Sequence, residues 1–310
     1  MAEPFNIGYA DAGVYEAMLP PHYYGGLEDT DLVRDQLRYF YGDPEQHERL
    51  RVLDLGCGPG RVTTVLAPYA GTLIGTDKSA GMIDQFSTLF PDAEAVCADT
   101  ETVLARFVEQ QRRLDLIGSF WSMSYPLLEC FESTTAQGVV TSGSLDAGIA
   151  RARTLINNLV ELLAPGGRLL MLFFDAATAE QRLVTRLWER IQPFPGTGRD
   201  FTWNLLQHEL QDAEGTGRGQ LTTRRLPGVA VAGNLQAAIQ WFRIGHLNTY
   251  PPLVDDPDVI AEITEFARAH QHSDGRVLIP SGVHLLDFQA KTDLTTHLPT
   301  DPWNTCLPPT

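Results

Sequence analysis

The stretch Val52-Leu53-Asp54-Leu55-Gly56-Cys57-Gly58-Pro59-Gly60 decides how this chain is read. A short apolar run of strand length ends in glycines at i, i+2 and i+4, and a helical segment, Arg61–Pro68, follows. Glycine at such a junction permits a tight turn and lets a ligand lie directly on the backbone. The helix start offers free N–H groups to a polar ligand. A dinucleotide-binding loop has the form G-x-G-x-x-G, with its third glycine one place later. The G-x-G-x-G found here makes less room for a pyrophosphate and suits a nucleoside joined to an amino-acid carboxylate.

Outward from this loop the chain alternates. Strands are predicted at Arg51–Leu55, Thr72–Asp77, Ala93–Ala98, Leu114–Phe120 and Leu169–Phe174. Helices are predicted at Glu28–Tyr41, Ala80–Leu89, Thr102–Gln111 and Ile149–Leu163. Strands separated by helices of this length imply right-handed crossovers and a parallel sheet. Asp77 ends the second strand, where an acid can bond ribose hydroxyls or cap the next helix. Asp99 and Thr100 end the third strand, where they can meet an adenine amine. The polar run Glu132–Asp146 reads as a loop, and Gln181–Ile191 and Asp258–His270 read as helices. Thr202–Leu210, Gln220–Leu226 and Ile239–Leu247 fit either antiparallel strands or helix plus strand. Val277–Phe288 is a late strand.

Four motifs in order, L-D-L-G-C-G-P-G, D-K-S-A-G-M, A-D-T and L-A-P-G-G, resemble those of the class I S-adenosylmethionine-dependent methyltransferases. The resemblance covers roughly residues 14–174. It implies an α/β fold with a seven-stranded Rossmann-like sheet whose last strand is antiparallel, and helices on both faces. Three segments are expected: a helical cap plus cofactor core over 1–175, a lid-like insertion over 176–274, and a final strand and tail over 275–310. The resemblance places Gly56, Cys57, Gly58 and Gly60 at the methionine moiety, and Asp77 at the ribose. Lys78 and Met82 would flank the adenine, and Asp99 and Thr100 would meet its edge. Phe120 would lie beside the sulfonium, and Tyr15 would fold over the cofactor or else pack in the core. The expected cofactor is S-adenosylmethionine, leaving as S-adenosylhomocysteine.

The acceptor is read from what surrounds these motifs. The formal charge is −16, from 39 acids and 23 bases, and no basic stripe is present, so nucleic acid is not an expected partner. No apolar run approaches the ~18 residues of a membrane span, and the N-terminus lacks a secretory pattern, so a cytoplasmic protein is expected. The four cysteines show no C-x-x-C spacing, and no metal site is expected. Aromatic residues gather in the segments expected to close over the cofactor. Tyr23, Tyr24, Trp121, Tyr125, Trp203, Trp241 and Tyr250 are candidates for holding a flat ring. His246, His208, Tyr24 and Glu16 are candidates for removing a proton from the acceptor.

A narrower likeness lies in Y-E-A-M-L-P-P-H-Y-Y-G-G and F-W-S-M-S-Y-P-L-L-E-C-F-E, which are similar to bacterial indole C3-methyltransferases of pyrroloindoline and cyclodipeptide alkaloid pathways. It implies a small aromatic substrate methylated at indole C3 after loss of the ring N–H proton. O- or N-methylation of a phenolic or amine metabolite is the alternative. A non-catalytic S-adenosylmethionine-binding regulator is the alternative of another class. A monomer or a homodimer fits equally.

Overall fold

Two adjacent glycines set the first element. Gly25 and Gly26 both take positive φ and turn β1 (His22–Tyr24) back on β2 (Leu27–Glu28). The computed structural model describes residues 19–46, 49–135, 138–141, 143–191, 198–247 and 251–292. Tyr15, Glu16 and Tyr250 lie outside these. Helix α1 (Asp29–Tyr41) follows the hairpin, with Asp29 and Asp31 in its first turn and Leu32, Val33 and Leu37 buried along one face.

The predicted alternation is then seen. It runs β3 (Leu50–Leu55), α2 (Thr63–Leu66), β4 (Ala70–Asp77), α3 (Ala80–Leu89), β5 (Glu94–Cys97), α4 (Thr100–Glu109) and β6 (Leu114–Phe120). Ser79 caps α3 by accepting from the Met82 N–H, and Asp99 caps α4 by accepting from Thr102. After α5 (Ser124–Leu128), the segment expected as a loop forms a small hairpin, β7 (Glu132–Thr135) with β8 (Gly138–Thr141). Helix α6 (Leu145–Leu162) runs into β9 (Leu163–Phe174), and α7 (Ala179–Trp188) follows.

The undecided segments resolve as one strand between helices. These are α8 (Arg199–Gly215), β10 (Gly219–Ala232), α9 (Leu235–Gln240) and a π-helical turn, Trp241–His246. Then come α10 (Pro251–Val254), α11 (Pro257–Ala269) and β11 (Val277–Ala290).

The main sheet has the order β2-β1-β10-β11-β9-β6-β3-β4-β5, nine strands where seven were expected. β3, β4, β5, β6 and β9 are parallel. β11 slots antiparallel between β9 and β10, so β10 runs with the parallel set. These seven strands are the expected core, with its last strand reversed. The other two are the β1–β2 hairpin, which pairs on the edge of β10 through His22 with Ala230 and Tyr24 with Gly228. Gly228 is required there, because a Cβ would meet the Tyr24 ring at 2.3 Å.

β10 therefore belongs to the sheet although it lies inside 176–274. Alternate residues of the central strands serve opposite faces. Leu53, Ile117 and Met171 pack under α4, α6 and α8, while Val52, Leu116 and Leu170 pack under α1. A third cluster joins α7, β10, the π turn and α11 through Leu187, Phe242 and Ile263. No helix of the described residues is long and apolar enough to cross a membrane.

Candidate functional site

The strand ends of β3, β4, β5 and β6 open into one cleft, lined at one end by Gly56, Cys57, Gly58, Asp77, Lys78, Met82, Asp99 and Thr100. Gly56, Gly58 and Gly60 all hold positive φ, at 73°, 54° and 103°. A Cβ on Gly56 would strike the Ser122 Cβ at 2.4 Å, whereas one on Gly58 would meet nothing within 4 Å. Gly58 thus faces open cleft, and a ligand can lie on its backbone.

The Gly56 and Cys57 N–H groups both donate to the Thr76 carbonyl, at 2.8 and 2.9 Å, tying the loop to β4. Asp77 fixes it further, accepting from the Gly58 N–H at 3.1 Å and the Ser79 N–H at 2.8 Å. Burial raises the Asp77 pKa, and these N–H donors oppose the rise. An ionised carboxylate has about four acceptor positions, so Asp77 keeps capacity for hydroxyl donors. Gly60 does not line the cleft but packs the loop against α3, where a Cβ would meet Phe90 at 2.7 Å. Across the mouth, Lys78 and Glu129 form an ion pair of 2.5 Å.

The other end of the cleft is aromatic. Phe120 ends β6 and Trp121 follows it, Tyr125 comes from α5 and Phe174 from β9, His22 and Tyr24 come from β1, and Trp241 from the π turn. Trp121 sits at φ 63°, a left-handed conformation that costs a bulky residue of order 1–3 kcal/mol and tends to mark functional positions. It is held there on three sides. Its backbone N–H donates to Leu172 at 2.9 Å, its indole N–H donates to Asp29 Oδ2 at 2.9 Å, and its ring packs 5.0 Å from Phe174. Asp29 is buried and also receives both Arg61 guanidinium nitrogens, at 2.7 and 2.5 Å. Burial works against its charge, but the Arg61 and Trp121 bonds hold its pKa below the ordinary value.

A second buried carboxylate, Glu180 in the first turn of α7, lies in the same wall. Its Oε1 accepts from the Trp241 indole N–H at 2.8 Å and lies 3.1 Å from His246 Nε2. Burial opposes ionisation of Glu180, yet His246, His22 and the Trp241 donor together keep it well below the usual carboxylate range. Burial lowers the His246 pKa in turn, which suits a neutral ring donating from Nε2.

Residues 52–130, which carry the loop, Asp77, Asp99, Trp121 and Tyr125, match the family described as a methyltransferase domain. That segment is similar to a methyltransferase domain. The cofactor of such a domain is S-adenosylmethionine, and the open face of Gly58 with the spare acceptor positions of Asp77 fits it. The biotin biosynthesis bifunctional protein BioHC of Cellvibrio japonicus is 26% identical over 171 residues, covering 55% of this chain and 28% of that protein. The chain thus matches little more than a quarter of this curated relative. The crystal structure of the YcgJ protein from Bacillus subtilis superposes with a TM-score of 0.50 at 15% identity, covering 84% of this chain and 97% of that one, and shows the same fold.

Around this cleft, several predicted residues stand elsewhere. Tyr23 alternates away from Tyr24 along β1, and its phenol interacts with Glu28 on the outside. Trp203 does not line the cleft; it is buried under the sheet, stacked on His284 at 4.1 Å. His208 is 62% exposed on α8 and lies 3.7 Å from Asp212. His246 does not line the cleft and stands behind Glu180 and Trp241, which do. Asp29, Arg61 and Glu180 were not singled out from sequence. The two acids each fall in a first helical turn, where the helix dipole already accounts for an acid, so no separate signal marked them.

Proposed function

We propose that this chain transfers the methyl group of S-adenosylmethionine to an aromatic small molecule, and that C3 of an indole is the acceptor its cleft suits best. One observation carries the reading: the glycine loop opens straight into a chamber walled by Trp121, Tyr24, Trp241, Phe174 and Tyr125. Aromatic faces bind flat rings and also favour a neighbouring cation. The bound cofactor supplies an electrophilic methyl group whose leaving thioether needs no assistance. The protein has then to hold the acceptor about 3–3.5 Å from that carbon and exclude water. Gly56, Gly58 and Asp77 hold the cofactor end, and the aromatic walls hold the ring. A net charge of −16 fits a neutral or cationic acceptor.

Calorimetry with S-adenosylhomocysteine, and turnover on a panel of indoles, tryptophan cyclodipeptides and phenols followed by mass spectrometry, tests the reading. A product heavier by one methylene from an indole, with NMR placing the methyl on C3, is expected. A phenol or amine product would move the acceptor to oxygen or nitrogen. Cofactor binding without turnover on any of them would favour a regulatory binder.

A further inference from the structure

We propose that Glu180 is the group that receives the acceptor's ring N–H, as a hydrogen bond on binding and as a proton during transfer, with His246 and Trp241 as its positioning residues. This rests on the aromatic-acceptor reading above.

The argument begins with the two buried carboxylates of the aromatic chamber. Asp29 is saturated: Oδ1 accepts from Arg61 and the Thr30 N–H, and Oδ2 from Arg61 and Trp121. Its charge is matched by the Arg61 guanidinium. Glu180 differs. Both of its hydrogen bonds go to Oε1, and among the described residues Oε2 accepts none. Glu180 lines the cleft and its Oε2 is not among the fully enclosed unpartnered atoms, so a ligand filling the cleft would bury this ionised oxygen, and doing so without a donor is costly. An aromatic N–H supplies the missing donor.

His246 does not compete for that place, because it does not line the cleft and its Nε2 is committed to Glu180. The hydroxyl of Tyr24 is buried beside Ser281, and burial raises its pKa well above the ordinary value, so it stays protonated.

The step balances on an indole. As C3 bonds to the methyl carbon, the sulfur–methyl bond breaks and its electron pair stays on the thioether sulfur. The N–H proton passes to Glu180, whose negative charge is cancelled, and the ring becomes a neutral 3-methylindolenine. The titratable and charged groups around Glu180 are His246 from the π turn and His22 and Tyr24 from β1, with Asp29, Arg61 and Arg199 beyond them.

The test compares wild type with Glu180→Gln on tryptamine and a tryptophan cyclodipeptide, each beside its N1-methylindole counterpart. Titration into protein loaded with S-adenosylhomocysteine reads binding, and S-adenosylmethionine turnover reads transfer. Wild type should prefer the N–H ligands by roughly 10- to 100-fold. Glu180→Gln should lose that preference while keeping S-adenosylhomocysteine affinity, and should slow transfer to N–H acceptors by about 100-fold or more.

His246→Asn provides a second variant. Without the imidazole the Glu180 pKa rises, so the acid limb of kcat/KM should move to higher pH. Equal binding of N–H and N1-methyl ligands by wild type, or an unchanged pH limb in His246→Asn, overturns the proposal while leaving the aromatic reading intact. Failure of every indole to bind or react overturns that reading, and this proposal with it.

Discussion

At the scale of single residues, the cleft is shaped by backbone conformations that most side chains avoid. Gly58 at φ 54° has open space where its Cβ would stand. Gly58→Val should therefore fold, less stably by about 1–2 kcal/mol, and should lose measurable S-adenosylhomocysteine binding because its methyls occupy the ligand's path. Retained affinity by calorimetry would displace the cofactor from this loop. Trp121 is the converse case, a bulky residue at φ 63° that no sequence pattern marks. Its conformation is held by Asp29, ninety-two positions away in the chain. The glycines were legible because their spacing speaks of backbone, whereas Asp29 and Glu180 were not, because an acid in a first helical turn already has a local explanation.

At the scale of elements, the central parallel strands β6 and β9 were readable because most of their residues are buried and they appear as mainly apolar runs. The edge strand β5 is half exposed and was legible mainly from its place in the alternation. The caps at Ser79, Asp99 and Asp256 are local signals too, but none was read as a cap from the sequence, which offered Asp77 in place of Ser79. The π turn was not readable, and it matters most at the aromatic end of the cleft. Its i→i+5 winding brings Trp241 and His246 onto the same Glu180 oxygen. Gly245 makes that winding possible, since a Cβ there would lie 2.5 Å from the Trp241 ring. Gly245→Ala should displace the indole, cost about 1–3 kcal/mol of stability as an overpacked site does, and reduce acceptor turnover more than cofactor binding. Thermal unfolding beside S-adenosylhomocysteine calorimetry separates the two effects.

Across the whole molecule, the sheet carries a buried charge beneath the glycine loop. Asp54 on β3 accepts from Thr63 Oγ1 at 2.5 Å and is pushed up to about 7, chiefly by burial and secondarily by Asp77. A carboxyl whose pKa rises on folding gives stability that is fully present below its unfolded value, near ~3.9. That stability is lost as pH rises through the folded value. Asp54→Asn lacks the loss, so its Tm relative to wild type should climb as pH goes from 5 to 8, within a ceiling of about 4 kcal/mol. A gap that stays constant with pH would mean that Asp54 does not titrate in this range. The same sheet brings the β1–β2 hairpin beside β10, which is how His22 and Tyr24 reach a cleft formed by strands far along the chain.

The sequence by itself determined the alternating core, the glycine loop that follows β3 and the acids at the ends of β4 and β5. Each of these is written in neighbouring residues whose spacing reflects a local backbone requirement. Only the tertiary structure decided that the sheet has nine strands, that Trp203 and His208 leave the cleft, and that Asp29 and Glu180 enter it. Those outcomes depend on pairing across dozens of positions. A buried carboxylate declares its role only through the donors that surround it, and here those donors come from the residue after β6, the loop before α2 and the π turn.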